Sequence, residues 1–138
     1  MASGVFAIYK ANLMNKMISS TSDNIVVCLM TATAFVATAQ NYLTYVSGAE
    51  LAATGGYVKT GSALGSKTVT LGTTTVFDAA DSVWTSSSFT AGVATLVDIT
   101  VNPTSDNLIC LFDFAGDKTV SSGTFTIQWN SLGIVTLV

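Results

Sequence analysis

The sequence predicts a mainly β fold, a β-sandwich or jelly-roll-like domain with a short N-terminal helix. About six to eight segments either alternate apolar with small polar residues or are apolar throughout, as is typical of strands. Clusters of Gly, Ser, Asn and Asp separate these segments. Because the 138 residues contain no internal repeat or linker, we expect a single domain over 1–138.

The first predicted element is a helix over about residues 5–18. In VFAIYKANLMNKMI the apolar side chains recur at spacings of three and four, while the lysines and Asn12 fall on other faces. The helix then ends at SSTSDN. Its expected apolar face consists of Phe6, Tyr9, Leu13 and Met17.

The β-rich part is predicted to span 24–138 and to begin with IVVCLM, a strand buried on both faces. Residues 33–66 predict a long loop, because their glycines interrupt any regular period. KTVTLG and TTVFDA are the next two expected strands. In SVWTSSSFTA, Trp84 and Phe89 have opposite parity, which predicts a bend or bulge between them. VATLVDITV and NLICLFDFA follow as separate strands, joined by the Pro-containing turn NPTSD.

The final two predicted strands have different patterns. In TFTIQWN, the residues Phe125, Ile127 and Trp129 share one face, so we expect them in the core. IVTLV is apolar on both faces and should therefore be covered on both sides. Val135 and Leu137 lie on one of these faces, for which we expect cover from the apolar face of the helix or from a neighbouring subunit.

Charged residues make up only 9% of the chain, whereas soluble domains average about 25%. The mean hydropathy is +0.57. The polar surface must therefore come largely from Ser, Thr and Asn, which lose their water more easily than Lys or Glu does. This composition favours a protein that makes broad contacts with other proteins.

The charge pattern argues against nucleic acid as a partner. The net charge is −3, no Arg is present, and the five lysines are scattered rather than clustered. The uncharged stretch 24–49 has only about fifteen continuous apolar residues, fewer than the roughly twenty of a membrane-spanning helix. We expect neither a membrane span nor an export signal, since the nearest upstream lysines are distant and Asp23 directly precedes the apolar run.

Candidate chemistry is sparse. Without His or Arg, the chain has no catalytic triad or phosphate clamp, so we expect no enzyme activity, catalytic residue, cofactor or metal. Asp78 and Asp81 form the best acidic pair, for which we weigh a glycosidase or calcium site against the favoured interpretation, a solvated turn. Asp98 and Asp113, in the middle of strands, are expected to face water or a partner. The glycines at 55–65 match no phosphate-binding motif.

The two cysteines, Cys28 and Cys110, lie within apolar runs. We expect both to be buried and reduced, acting as small apolar side chains. A disulfide between two central strands is the alternative.

The order of segments resembles a family of small virion proteins of tailed bacteriophages, of the head-decoration (capsid cement) type. The resemblance extends over nearly the whole chain and is densest in GAELAATGGYVKTGSAL, VFDAADSVWTSSSFTA and GTFTIQWNSLGIVTLV. It implies a non-enzymatic protein that binds the major capsid protein lattice and copies of itself, with a trimer possible. It also implies synthesis in the bacterial cytoplasm and a final location on the capsid exterior. These motifs are structural, so the resemblance transfers no site residues.

Two alternatives remain at this stage. One is a structural component of a phage tail or fibre base. The other is a carbohydrate-binding β-sandwich in which Tyr57, Trp84 and Trp129 serve as stacking platforms, which requires these rings to be exposed together.

Overall fold

The computed structural model describes residues 2–100 and 107–138. It confirms a mainly β fold with two antiparallel sheets and a short N-terminal helix. Within these ranges the helices are α1 (Ala7–Met14) and the single turn α2 (Tyr42–Tyr45). The strands are β1 (Gly4–Val5), β2 (Ile25–Met30), β3 (Ser62–Ala63), β4 (Thr68–Thr70), β5 (Thr75–Asp78), β6 (Ser82–Asp98), β7 (Asn107–Ile127) and β8 (Val135–Leu137).

The larger sheet has the order β1-β7-β6-β2-β3 and is covered on both faces. Every residue of β2 is buried, as predicted for IVVCLM. On one face, alternate β2 residues pack with Tyr9, Phe77 and Trp129 in a first core. On the other face, the remaining β2 residues pack with Phe6 and Val46 in a second core. The large sheet is therefore the middle layer of the molecule.

The second core is covered by the segment that was predicted to be a long loop. Most of 33–66 is irregular, but it contains α2 and β3. The side chain of Asn41 begins α2 by accepting a hydrogen bond from the Thr44 amide, at 3.0 Å. The short helix places Tyr42 and Val46 against the large sheet.

Helix α1 is shorter than the predicted 5–18. Val5 belongs to β1, where it pairs with Cys110 of β7. Phe6 precedes the helix in an extended conformation. At the other end, Lys16 has a φ of 57°, a left-handed conformation that ends the helix before Met17. The apolar spacing in the sequence continues to Met17, but the helical backbone ends before this residue.

Strands β6 and β7 form one long hairpin where four separate strands were expected. The predicted bend between Trp84 and Phe89 is confirmed, since the pairing register shifts there and Ser86 has a φ of 51°. In β7 the register passes from Asp113, opposite Val93, to Lys118, opposite Ala91, so residues 114–117 protrude. These bulges let two strands turn corners without a loop. The predicted turn NPTSD lies outside the described residues.

The smaller sheet has the order β4-β5-β8. Phe77 is opposite Val69 on one side and Val135 on the other, and Thr75 is opposite Leu137. One face of this sheet therefore carries Val69, Thr75, Phe77, Val135 and Leu137. KTVTLG does form a strand, β4, but all of its residues are exposed because the strand lies at an edge.

Of the three core residues predicted in TFTIQWN, two are buried. Ile127 and Trp129 belong to the first core, whereas Phe125 is only partly buried against it. Trp129 lies just beyond β7, and its indole N–H donates to the Ala80 carbonyl at 3.0 Å. Phe125 was predicted to be buried. It is not enclosed, because this end of the hairpin is a two-stranded ribbon beyond the reach of β2.

Candidate interaction surface

An apolar groove of about 240 Å³ lies between helix α1 and the smaller sheet. It brings together four of the six residues predicted to form an interface. Tyr9 and Leu13 form the helix wall, and Val135 and Leu137 form part of the sheet wall. The other lining residues are Ser19, Ser20, Thr21, Val69, Thr75 and Phe77.

The two other predicted interface residues lie elsewhere. Phe6 is fully buried in the second core, with its ring centroid 5.1 Å from that of Phe35. Met17 follows the end of α1 and is mostly exposed. The predicted apolar face is therefore divided, because α1 begins after Phe6 and ends before Met17.

The floor of the groove is polar at one point. Tyr9 is buried, and its hydroxyl shares a hydrogen bond of 2.8 Å with the Ser20 hydroxyl. Burial raises the pKa of Tyr9, so this ring stays neutral at physiological pH. The residues that line the groove carry no formal charge. The groove is thus suited to apolar side chains rather than to a charged ligand.

Strand β8 is covered on one side only, contrary to the prediction that both sides must be covered. Val135 is buried in the first core, while Leu137 is 41% exposed and Thr136 and Val138 are exposed. The reason is the position of β8 at the edge of a small sheet, where the groove separates Leu137 from the helix. Tyr9 and Leu13 of the helix line the same groove as Val135 and Leu137, but they leave Leu137 partly exposed.

The three proposed sugar-stacking aromatics are buried. Trp84 is 6% exposed, Trp129 8% and Tyr57 2%. Trp84 makes edge-to-face contacts with Phe89 and Phe125, at centroid distances of 6.5 and 5.9 Å. These rings stabilise the core and offer no shared surface on which a sugar could stack.

The carboxylates of Asp78 and Asp81 accept backbone hydrogen bonds at the turn between β5 and β6. The Asp78 carboxylate accepts a hydrogen bond from the Ala79 amide, and the Asp81 carboxylate accepts one from the Trp129 amide at 3.0 Å. Asp81 therefore connects the turn before β6 to the chain after β7. Across residues 2–100 and 107–138, no group of three or more His, Cys, Asp or Glu side chains is placed to hold a metal ion.

Cys28 and Cys110 are both buried, as predicted, and no disulfide joins them. Cys28 faces the second core and Cys110 the first, and strand β6 runs between their strands. Two strand spacings separate the Cα atoms by roughly 9–10 Å, which exceeds the span of a disulfide. Burial raises the pKa of the Cys110 thiol.

The loop that covers the second core contains a buried carboxylate, Glu50, which the sequence did not predict. Glu50 is buried and accepts hydrogen bonds from the hydroxyl groups of Tyr42 and Tyr57 and from the Thr60 amide, the last two at 2.6 and 2.7 Å. The Tyr57 hydroxyl in turn accepts from the Leu29 amide at 3.0 Å. Burial raises the pKa of Tyr57, so this ring remains a hydrogen-bond donor to Glu50. The network fixes the loop to β2.

A second buried carboxyl group, Asp98, was expected to face water or a partner and does neither. It is buried, and it accepts hydrogen bonds from the Thr100 amide and hydroxyl at 3.0 and 2.6 Å. Burial, reinforced by the nearby Asp23, raises the pKa of Asp98. Asp113 is partly exposed, and its carboxylate accepts from the Ala115 amide within the bulge.

In the described ranges, no helix is long and apolar enough to cross a membrane. Comparison with known proteins found no matching family model, curated protein or solved structure.

Proposed function

We propose that this protein is a non-enzymatic structural protein of a bacteriophage virion. In this role it decorates and stabilises the capsid by binding the lattice of the major capsid protein and copies of itself. The observation that carries the proposal is the uncharged apolar groove between α1 and the smaller sheet, bordered by Leu137 and Val69. The resemblance of the chain's segments to phage decoration proteins gives the biological setting.

The rim of the groove supports a role in association. Leu137 and Val69 are each about half exposed, and Leu71, directly after β4, is almost fully exposed. Full burial of an exposed Val or Leu side chain contributes about 1.5–3 kcal/mol, so covering one that is already half buried adds about half of that. A protein repeated many times over a lattice gains this at every copy.

The low charge supports the same role. Charged groups are depleted at the centre of protein interfaces because their water is costly to remove. A surface built from Thr, Ser and apolar residues, in a chain with 9% charged residues, loses its water at little cost. Such a surface suits a neighbour of similar polarity, as in a protein shell.

Quantitative mass spectrometry of purified virions from the encoding phage tests the proposal. We expect this chain in the particle, at a copy number close to that of the major capsid protein. A few copies per particle would instead indicate the tail or fibre-base alternative. Absence from the particle would refute a virion role altogether.

A further inference from the structure

We infer that β8 is a pairing edge through which two copies of this chain associate, antiparallel and about a two-fold axis at Thr136. The pairing joins two three-stranded sheets into one six-stranded sheet. The inference rests on the proposed function in that copies of the chain associate, and it names the strand through which they do so.

Most other edges of the two sheets are short, irregular or flanked by a charged residue. Strands β1 and β3 have two residues each. Beyond Asp113, the outer edge of β7 carries the protruding residues 114–117 and then Lys118. Further along the ribbon, register shifts between Trp84 and Phe89 and the left-handed residues Ser86 and Ser122 interrupt both open edges. Lys67 directly precedes β4. Charged side chains and bulges are the usual means by which sheet edges avoid pairing with other chains.

Strand β8 has none of these protections. The segment Ile134–Val138 contains no charged residue, Pro or Gly, and all but one of its residues are β-branched. In the described part of the chain, β5 is the only strand that pairs with β8, so its outer side lacks a strand neighbour. Thr136 and Leu137 on this edge are exposed. The feature that completes such an edge is another β-strand.

A second copy of the same strand fits this edge. Antiparallel pairing centred on Thr136 places Thr136 opposite its own counterpart and Val135 opposite Leu137 of the second copy. Directly opposed side chains lie about 4.5–5.5 Å apart, so Val135 of each copy would cover part of Leu137 of the other copy. Because Val135 and Leu137 both face the groove, pairing makes the two grooves continuous.

Charge favours a copy of this chain as the occupant. A two-fold contact brings identical patches together, so any charge near the axis would face a like charge. Strand β8 lies in the uncharged stretch that follows Lys118 and meets no such repulsion. At the edge of β4, by contrast, two-fold pairing centred on Val69 would place the charged Lys67 opposite the apolar Leu71 of the second copy.

A charge-swap experiment at Thr136 tests the inference. Thr136 is exposed, so Thr136→Lys and Thr136→Glu leave the core intact, which circular dichroism checks. Sedimentation velocity should show the parent's mass rising from 14.3 kDa towards twice that value as concentration increases. Each variant alone should self-associate about five-fold or more weakly, because like charges then oppose each other. An equimolar mixture of the two variants should restore association.

The matched control is Thr70→Lys, an exposed threonine at the other edge of the same sheet, which should associate like the parent. A parent that stays at 14.3 kDa at all concentrations, a trimer, or a mixture that fails to restore association would overturn the inference. If virions carry the protein and Thr136→Lys at equal copy number while both are monomeric, only this inference fails. If the dimer forms but virions lack the protein, only the proposed function fails.

Discussion

The buried carboxyl group of Asp98 lies near the Asp23 carboxylate, where the end of β6 meets the segment leading into β2. Burial and a neighbouring negative charge both disfavour the charged form of a carboxyl group. Burial and the neighbouring Asp23 both raise the pKa of Asp98 for this reason. The folded protein therefore binds a proton here more tightly than the unfolded chain does.

We predict that this pair makes the protein less stable at neutral pH than it would otherwise be. Because the folded pKa of Asp98 is raised, its stabilising contribution is full below the unfolded value of about 3.9 and is lost as pH rises through the folded value. Asp98→Asn keeps the acceptor for Thr100 and removes the negative charge that burial and the nearby Asp23 disfavour. We expect this variant to gain about 1 kcal/mol at pH 7.

Urea denaturation of Asp98→Asn and the parent between about pH 4 and pH 8 measures this difference. The advantage of the variant should grow as pH rises through the folded pKa. Asp117→Asn, which also removes one negative charge but on an exposed bulge, is the control and should track the parent. A constant difference across the whole range would contradict the raised pKa of Asp98.

The buried Glu50 network gives a second prediction. Tyr57→Phe removes one of three donors to Glu50 and the acceptor for the Leu29 amide, leaving that buried amide unsatisfied. We expect a loss of about 1–3 kcal/mol in the free energy of unfolding. Tyr45→Phe is the control, since it deletes a hydroxyl that donates to the Ala34 carbonyl in a more exposed setting. Equal losses in the two variants, measured by urea denaturation, would show that burial of the Glu50 network adds nothing.

The buried carboxyl groups of Asp98 and Glu50 also show which features the sequence alone does not predict. The burial of strand β2 was predictable because a run of six apolar residues indicates a buried strand whatever elements pack against it. Asp23 and Asp98 are distant in sequence and meet only through the pairing of β2 with β6. Glu50 finds its partners within an irregular loop, where no period relates residue number to direction. The groove was predictable in part, because apolar residues of α1 and β8 both required cover.

The cysteines lead to a third prediction. Cys28 and Cys110 are both buried, each in a different core. Neither thiol should therefore react with a water-soluble thiol reagent in the folded protein. Both should react after denaturation without a reductant. A titration that finds no reactive thiol in denatured, unreduced protein would contradict the separation of the two side chains. Reaction of either thiol under native conditions would contradict its burial.

The aromatic residues near the end of β7 provide a fourth prediction. Trp129→Ala removes a buried ring, its packing on Phe112 and its hydrogen bond to Ala80, and should cost about 3–5 kcal/mol. Phe125→Ala should cost less, because that ring is only partly buried. Gln128→Ala, exposed between them, should change stability by less than about 0.5 kcal/mol. Thermal or urea denaturation ranks the three variants, and a Phe125→Ala loss as large as that of Trp129→Ala would contradict the observed burial.

The final prediction concerns the rim of the groove. Leu137→Asp places a carboxylate beside Leu13 and Val135, where no lining residue can pair with it. Since Leu137 is 41% exposed in the isolated chain, we expect only about 1 kcal/mol of lost stability there. Assembly should suffer more, because covering the groove would bury the new charge. Leu132→Asp makes the same change at a residue that is 75% exposed and outside the groove, so it should assemble normally. Virion copy number and urea denaturation of the two variants separate folding from assembly. If Leu137→Asp occupies particles as fully as Leu132→Asp does, the groove is not the surface through which this protein joins a larger structure.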